Sequence, residues 1–124
     1  MSETRIQLGL EGERIAERFL RKRRLKTLAR RFRTPAGEID LVMREGETIV
    51  FVEVKTQSDR GFTDPEVRVT LTKQRKLLKA AKWFLTQKRW TDKPCRFDVI
   101  AVIIPPTGDP QIDHFPDAFV PERW

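Results

Sequence analysis

Residues Gly37–Thr56 read GEIDLVMREGETIVFVEVKT, and the rest of the chain is organised around them. Ile39, Leu41 and Met43 alternate with Glu38, Asp40 and Val42. Val50, Val52 and Val54 alternate with Ile49, Phe51, Glu53 and Lys55. A period of two over apolar and β-branched residues is the signature of a strand. The break at Arg44-Glu45-Gly46-Glu47 makes the stretch a hairpin. Asp40 is followed after twelve residues by Glu53, and Lys55 lies two further on. Two carboxylates and a lysine in an otherwise apolar hairpin are poorly explained by packing.

Strand parity puts Glu53 and Lys55 on one face, and the turn decides whether Asp40 joins them. With Glu45-Gly46 as the turn, Asp40 lies opposite Phe51 and diagonal to Glu53. With Gly46-Glu47, Asp40 faces Glu53 directly, and glycine suits the first central position of a type II′ turn. Either two-residue loop puts the three groups on one face. A three-residue loop sends Asp40 to the other.

Upstream, residues from about Thr4 to Arg24 carry Leu8, Ile15, Ala16, Phe19 and Leu20 at helical spacing. Gly9, Gly12 and Ala16 fall inside that apolar stripe, where small side chains let a helix approach a sheet closely. Glu13 lies at its edge, as a solvated flank residue or aimed along the sheet at the hairpin. The run Arg21-Lys22-Arg23-Arg24 suits a helix C-terminus and equally a phosphate contact. Leu25–Phe32 is read as a first strand, and Arg33–Gly37 as a loop marked by Pro35 and Gly37.

Downstream, 57–69 is a polar connection, either an ordinary crossover or a segment that meets substrate. Residues from about Thr72, the expected cap, to Arg89 form a second helix with Leu77, Leu78, Ala81, Phe84 and Leu85 inward. Lys73, Arg75, Lys76, Lys79 and Lys82 cover its outside with no acidic residue among them. Solvated helices usually mix charge signs, so this one suits phosphate groups as well as mere solubility. Arg33, Lys73, Lys76 and Lys79 are the candidate nucleic-acid contacts. Cys95–Ile104 reads as a buried strand covered on both faces, and Ile112–Phe115 as a short last one. The tail ending in Trp124 can pack back on the body.

The 124 residues suit one domain, spanning 1–124, with room for one core. Twenty-five Lys and Arg against 18 Asp and Glu give a net charge of +7, which favours an anionic partner such as nucleic acid. Cys95 and His114 are each the only one of their kind. That excludes a disulfide framework, a cysteine-rich zinc site and a multi-histidine metal site. No apolar run approaches the roughly 20 residues of a membrane span, and the N-terminus lacks a signal-peptide core. The expected location is the cytoplasm, and no membrane partner is expected.

The chemistry that Asp40, Glu53 and Lys55 suit is divalent-metal phosphodiester hydrolysis. Mg²⁺ or Mn²⁺ needs only one or two protein carboxylates. Asp40 and Glu53 supply these, the Val54 carbonyl is a third oxygen, and Glu13 can reach the ion directly or through water. Such an ion activates water and polarises a phosphoryl oxygen, while Lys55 stabilises charge developing on the phosphate. The competing reading is a surface ion-pair network. The apolar surroundings and the carboxylate at hairpin distance weigh against it.

Gly9-x-x-Gly12-Glu13-x-x-Ala16, Gly37–Leu41, Phe51–Thr56, Lys73 with Ala80-Ala81, and Arg96–Val99 together resemble the YraN-like bacterial family. That family in turn resembles the PD-(D/E)XK nucleases, and within them the archaeal Holliday-junction resolvases. The resemblance implies an α/β, restriction-endonuclease-like core in which a mixed central sheet is flanked by helices. It gives catalytic roles to Glu13, Asp40, Glu53 and Lys55. It also implies Mg²⁺ or Mn²⁺ as cofactor and DNA, including branched DNA, as substrate. Because resolvases cut two strands symmetrically, a homodimer follows by analogy. Ile39 stands where the motif's proline would be. Gln74 matches a helix glutamine of some relatives, but Leu78 replaces their tyrosine. The first functional expectation is a metal-dependent endonuclease. The second is a non-catalytic nucleic-acid-binding module of the same fold, and the third a structural component of a larger complex.

Overall fold

A computed structural model describes residues 3–58 and 69–120. The order is α1 (Glu3–Lys22), β1 (Lys26–Thr34), β2 (Gly37–Glu45), β3 (Thr48–Gln57), α2 (Leu71–Lys88), β4 (Cys95–Ile103) and β5 (Gln111–Phe119). The five strands form one sheet in sequence order. β3 and β4 are parallel and the other pairs antiparallel. This is the mixed α/β architecture expected, consistent with a restriction-endonuclease-like core.

The helices cover opposite faces. Ala16 and Leu20 of α1 pack with Leu41, Met43, Val50, Val52, Ile100 and Val102. Leu77, Ala80, Ala81, Phe84 and Leu85 of α2 pack with Ile39, Val42, Ile49, Phe51, Phe97 and Val99. β3 and β4 are therefore apolar on both faces, as expected for β4 from its near-continuous apolar run. Phe84 meets Phe32, Phe51 and Trp90 in edge-on ring contacts. Truncating such a fully buried aromatic costs about 3–5 kcal/mol.

Both helices end the same way. Leu25 N–H reaches Leu20 O and Arg24 N–H reaches Arg21 O, with Arg24 at φ 74°. Trp90 N–H reaches Leu85 O and Arg89 N–H reaches Thr86 O, with Arg89 at φ 61°. These are Schellman closures in which arginine holds the left-handed position that glycine usually takes. Leu20 and Leu25 join the same apolar layer, and so do Leu85 and Trp90, as apolar residues flanking such stops commonly do.

Several sequence expectations are corrected. Thr70, not Thr72, caps α2, its hydroxyl accepting from Lys73 N–H. The expected loop at Arg33–Gly37 shrinks to Pro35-Ala36, because β1 runs to Thr34 and β2 starts at Gly37. The Thr34 hydroxyl accepts from the N–H groups of Ala36 and Gly37 and closes that turn. β5 is nine residues long, and Pro116 is tolerated because the strand lies at the sheet edge. Of the two stripe glycines only Gly12 is a close approach. A Cβ there would fall 2.0 Å from Thr56 Oγ1, whereas one on Gly9 would meet nothing within 4 Å. The expectations for most of the 57–69 connection and for Trp124 lie outside the described residues.

Among the described residues no helix is long and apolar enough to cross a membrane.

Candidate metal and nucleic-acid site

Glu45 pairs with Thr48 across a two-residue turn, and Gly46 has φ 59°, as a type II′ turn requires. Of the two registers open to the sequence, this one aligns Asp40 with Glu53. The ladder nevertheless stops at Leu41–Val52. Beyond it the Asp40 carboxylate accepts the Val54 N–H at 2.8 Å. A side chain thus stands where a backbone carbonyl would otherwise bond.

The cause is a change of face. Ile39 belongs to the α2 layer, whereas Leu41 and Met43 belong to the α1 layer. β1 switches at the same level. Arg30 pairs with Leu41 and Phe32 with Ile39, while Arg31 between them holds φ 49°. Strict alternation had put Ile39 and Leu41 together and Asp40 on the opposite face. Instead Asp40 lies at the switch, with its carboxylate in the gap between β2 and β3. A left-handed non-glycine residue is uncommon and costs about 1–2 kcal/mol. Such strain collects at functional sites.

Glu53 enters the gap from β3. It is only 9% exposed and hydrogen-bonds the Asp40 carboxyl. Burial and then the bond and charge of Glu53 push the Asp40 pKa up to about 8, against the pull of the Val54 N–H. Two carboxylates therefore share a half-enclosed place that disfavours both being charged. Lys73 Nζ of α2 stands 3.4 Å from Glu53. The expected phosphate contact is thus also an ion partner of the site.

Glu13 approaches from the other helix. α1 lies close enough to β3 at Gly12 and Thr56 to bring it to the sheet end. Burial raises its pKa first of all, Arg31 lowers it, and Glu38 and Glu53 raise it. Arg31 Nε sits 3.5 Å from Glu13 and 3.7 Å from Glu38. Arg33 pairs with Glu38 at 2.9 Å and is otherwise exposed. Lys55 lies half-buried on β3 two residues past Glu53. Lys76 and Lys79 are exposed on α2. Gln74 bonds the Val69 carbonyl at the start of that helix.

Among the described residues no three histidine, cysteine or carboxylate side chains make one metal-ligating cluster. Asp40 and Glu53 are paired, and Glu13 is turned to Arg31. The donor set still fits a hard divalent ion, which takes one or two carboxylates and completes its shell with backbone oxygen and water. A cation between Asp40 and Glu53 would remove the repulsion that now keeps a proton there.

Sequence reasoning missed Arg31 as the residue that spaces Glu13 from Glu38. It also left undecided the basic surface of α1 and β1. Arg14, Arg18, Arg21, Lys22 and Arg30 line an open groove of about 450 Å³ there. Glu17 binds Arg30 at 2.7 Å and Thr27 at 2.6 Å within it.

The uncharacterised protein family UPF0102 matches residues 12–102, which include Glu13, Asp40, Glu53 and Lys55. This chain belongs to the UPF0102 family. It is 47% identical over 112 residues to a UPF0102 protein of Geotalea daltonii, covering 90% of this chain and 88% of that one. It is 46% identical over 120 residues to one of Geobacter metallireducens, covering 96% and 97%. With one of Syntrophotalea carbinolica it shares 42% over 125 residues and the full length of both. The family match agrees with the resemblance to the YraN-like bacterial family. UPF0102 membership by itself assigns no reaction.

Proposed function

We propose that this UPF0102 chain is a metal-dependent endonuclease of the PD-(D/E)XK type that hydrolyses phosphodiester bonds in DNA, branched DNA included. The observation that carries the reading is the Asp40–Glu53 pair, with Glu53 buried and Asp40 half-buried, at the end of the β2–β3 ladder. An exposed ion-pair network has no reason to bring two carboxylates into hydrogen-bond contact and hold one protonated near neutral pH.

Asp40, Glu53 and the Val54 carbonyl would hold Mg²⁺ or Mn²⁺. When bound, the ion supplies an activated water and charge neutralisation at the scissile phosphate. Asp40 is itself fixed by the Val54 N–H, so its position does not depend on a mobile side chain. Lys55 follows Glu53 by two residues on the same strand and takes the negative charge that develops on the phosphate. Glu13 orients the incoming water, with Arg31 setting its charge. Lys73 balances Glu53 and, with Lys76 and Lys79, binds the flanking backbone.

The test incubates labelled duplex, single-stranded and four-way-junction DNA with purified protein and Mg²⁺, Mn²⁺ or EDTA. Cleavage dependent on the metal and lost in Asp40→Asn is expected. Cleavage that survives both EDTA and Asp40→Asn overturns the reading.

One observation favours a second reading. Glu53 already has a cation in Lys73, and Glu13 has one in Arg31. A non-catalytic nucleic-acid-binding module would satisfy its carboxylates in that way. It predicts steeply salt-dependent binding with no cleavage under any metal. It also predicts loss of binding when Lys76 and Lys79 become Glu.

A further inference from the structure

The largest apolar side chain left open on α2 is Trp83, at 52% exposure. A helix that buries Leu77, Ala80, Ala81, Phe84 and Leu85 needs no indole on its outer face. Trp83 lines an open pocket of about 550 Å³ with Ala36, Lys79, Lys82, Thr86 and Gln87. No carboxylate is among these residues. The wall opposite the helix is the β1–β2 turn, where a Cβ on Gly37 would lie in ordinary contact with Lys76, at 3.6 Å.

Two segments of chain run from the pocket toward the candidate metal site. From the turn into β2, Ala36 is four residues from Asp40, or at most ~13 Å at the usual strand rise. Along α2, Trp83 is ten residues from Lys73, or ~15 Å at the helical rise. Lys76 stands two turns before Trp83 on the same side, since seven residues nearly complete two helical turns. Lys73 touches Glu53 at the other end of this path. A track of lysines thus leads from the carboxylate pair to an exposed aromatic ring.

Resting on the nucleic-acid reading above, we propose that the Trp83 pocket is a subsite for an unpaired nucleobase. The indole stacks on the base, and Lys79 and Lys82 hold the phosphates on either side. Charge complementarity selects this occupant. An apolar partner segment gains nothing from a rim with two lysines and no acid, whereas a single strand offers base faces and phosphates in alternation. A continuous duplex keeps its bases stacked and cannot fill the pocket. The subsite therefore favours DNA with a flap, gap, fork or open junction within a few nucleotides of the cut.

The experiment measures binding without cleavage, in EDTA, by fluorescence anisotropy of labelled oligonucleotides. A single-stranded thymidine oligomer is compared with a blunt duplex of equal length. Stacking on an aromatic side chain is worth about 1–3 kcal/mol, or roughly 5- to 150-fold in affinity. Trp83→Ala and Trp83→Leu should lose that factor on the single strand and change duplex affinity less than about twofold. Trp83→Phe should keep most of the affinity, because it keeps a ring. Tryptophan emission should quench on single-strand binding in the wild type, and that quench should shrink in Trp83→Phe. Unchanged single-strand affinity in Trp83→Ala overturns the proposal. So does equal loss on both substrates, or a Trp83→Leu that binds as the wild type does. Trp83 is outside the core, and matching circular dichroism of the variants excludes misfolding as the cause. Failure of the endonuclease reading shows only in the cleavage assay, so the two results are separable.

Discussion

Replacing Asp40 by Asn should make the metal-free protein more stable, by an amount that grows with pH. Asp40 is pushed up to about 8 from an ordinary 3.8. In the folded chain the Asp40–Glu53 pair keeps its proton at pH 7, while the unfolded Asp has lost it. A raised folded pKa gives stability that is fully present below about pH 4 and falls as pH rises toward 8. At 1.36 kcal/mol per pH unit, the three units between pH 4 and 7 amount to about 4 kcal/mol. Lys73 beside Glu53 and partial solvation reduce this to on the order of 2–3 kcal/mol. Asn at position 40 mimics the protonated acid. Its carbonyl accepts the Val54 N–H and its amide donates to Glu53, with nothing to titrate. Thermal melts in EDTA at pH 4, 5.5 and 7 read the difference. For a domain of this size each kcal/mol shifts Tm by about 4 °C, so Asp40→Asn should melt about 10 °C higher at pH 7 and level with the wild type at pH 4. Carboxylates remote from the Asp40–Glu53 pair titrate in both proteins and cancel. Parallel pH profiles, or a less stable Asp40→Asn at pH 7, refute the reasoning.

Other expectations follow from the same geometry. Gly12→Ala should lower stability by about 1–3 kcal/mol, because the new Cβ collides with Thr56, whereas Gly9→Ala should raise it by up to about 1 kcal/mol in denaturant titrations. Asp98 is fully buried and takes hydrogen bonds from Arg96, His114 and the Asp117 N–H. Burial pushes its pKa up, but these bonds outweigh it and hold the carboxyl below its usual range. Its contribution is therefore present above about pH 4 and fades in acid, and Asp98→Ala should cost about 3–5 kcal/mol at pH 7. Arg89→Gly, at φ 61°, should stabilise α2 by about 0.5–1 kcal/mol in the same assay.

The layers of the fold were legible because they rest on local periodicity. Alternation marked β2 and β3, one-sided apolar spacing marked α2, and Gly46 chose the turn among the alternatives the sequence allowed. β5 was cut short because Asp113, Pro116 and Asp117 give an edge strand no apolar signal. The cap fell on Thr70 rather than Thr72 because propensity does not distinguish two threonines two residues apart. The residues of the candidate site could be named from the sequence, but their geometry could not. That Asp40 lies in the strand gap depends on one left-handed residue, Arg31, on the neighbouring strand. Nothing in an arginine announces a positive φ. The ties of Arg31 to Glu13 and of Lys73 to Glu53 are made between separate elements, and no spacing rule encodes them. Charge composition suggested an anionic partner but not the aromatic ring at the end of the lysine track.

The most direct test of the central claim is the binding of Mn²⁺ itself, followed by electron paramagnetic resonance and calorimetry at pH 7.5 in the wild type, Asp40→Asn and Glu53→Gln. Saturable binding in the wild type is predicted, with release of a proton as the ion replaces it between Asp40 and Glu53. At least a tenfold loss, about 1.4 kcal/mol, is predicted in each variant. Absence of saturable binding in the wild type, or equal affinity in all three proteins, would contradict the account.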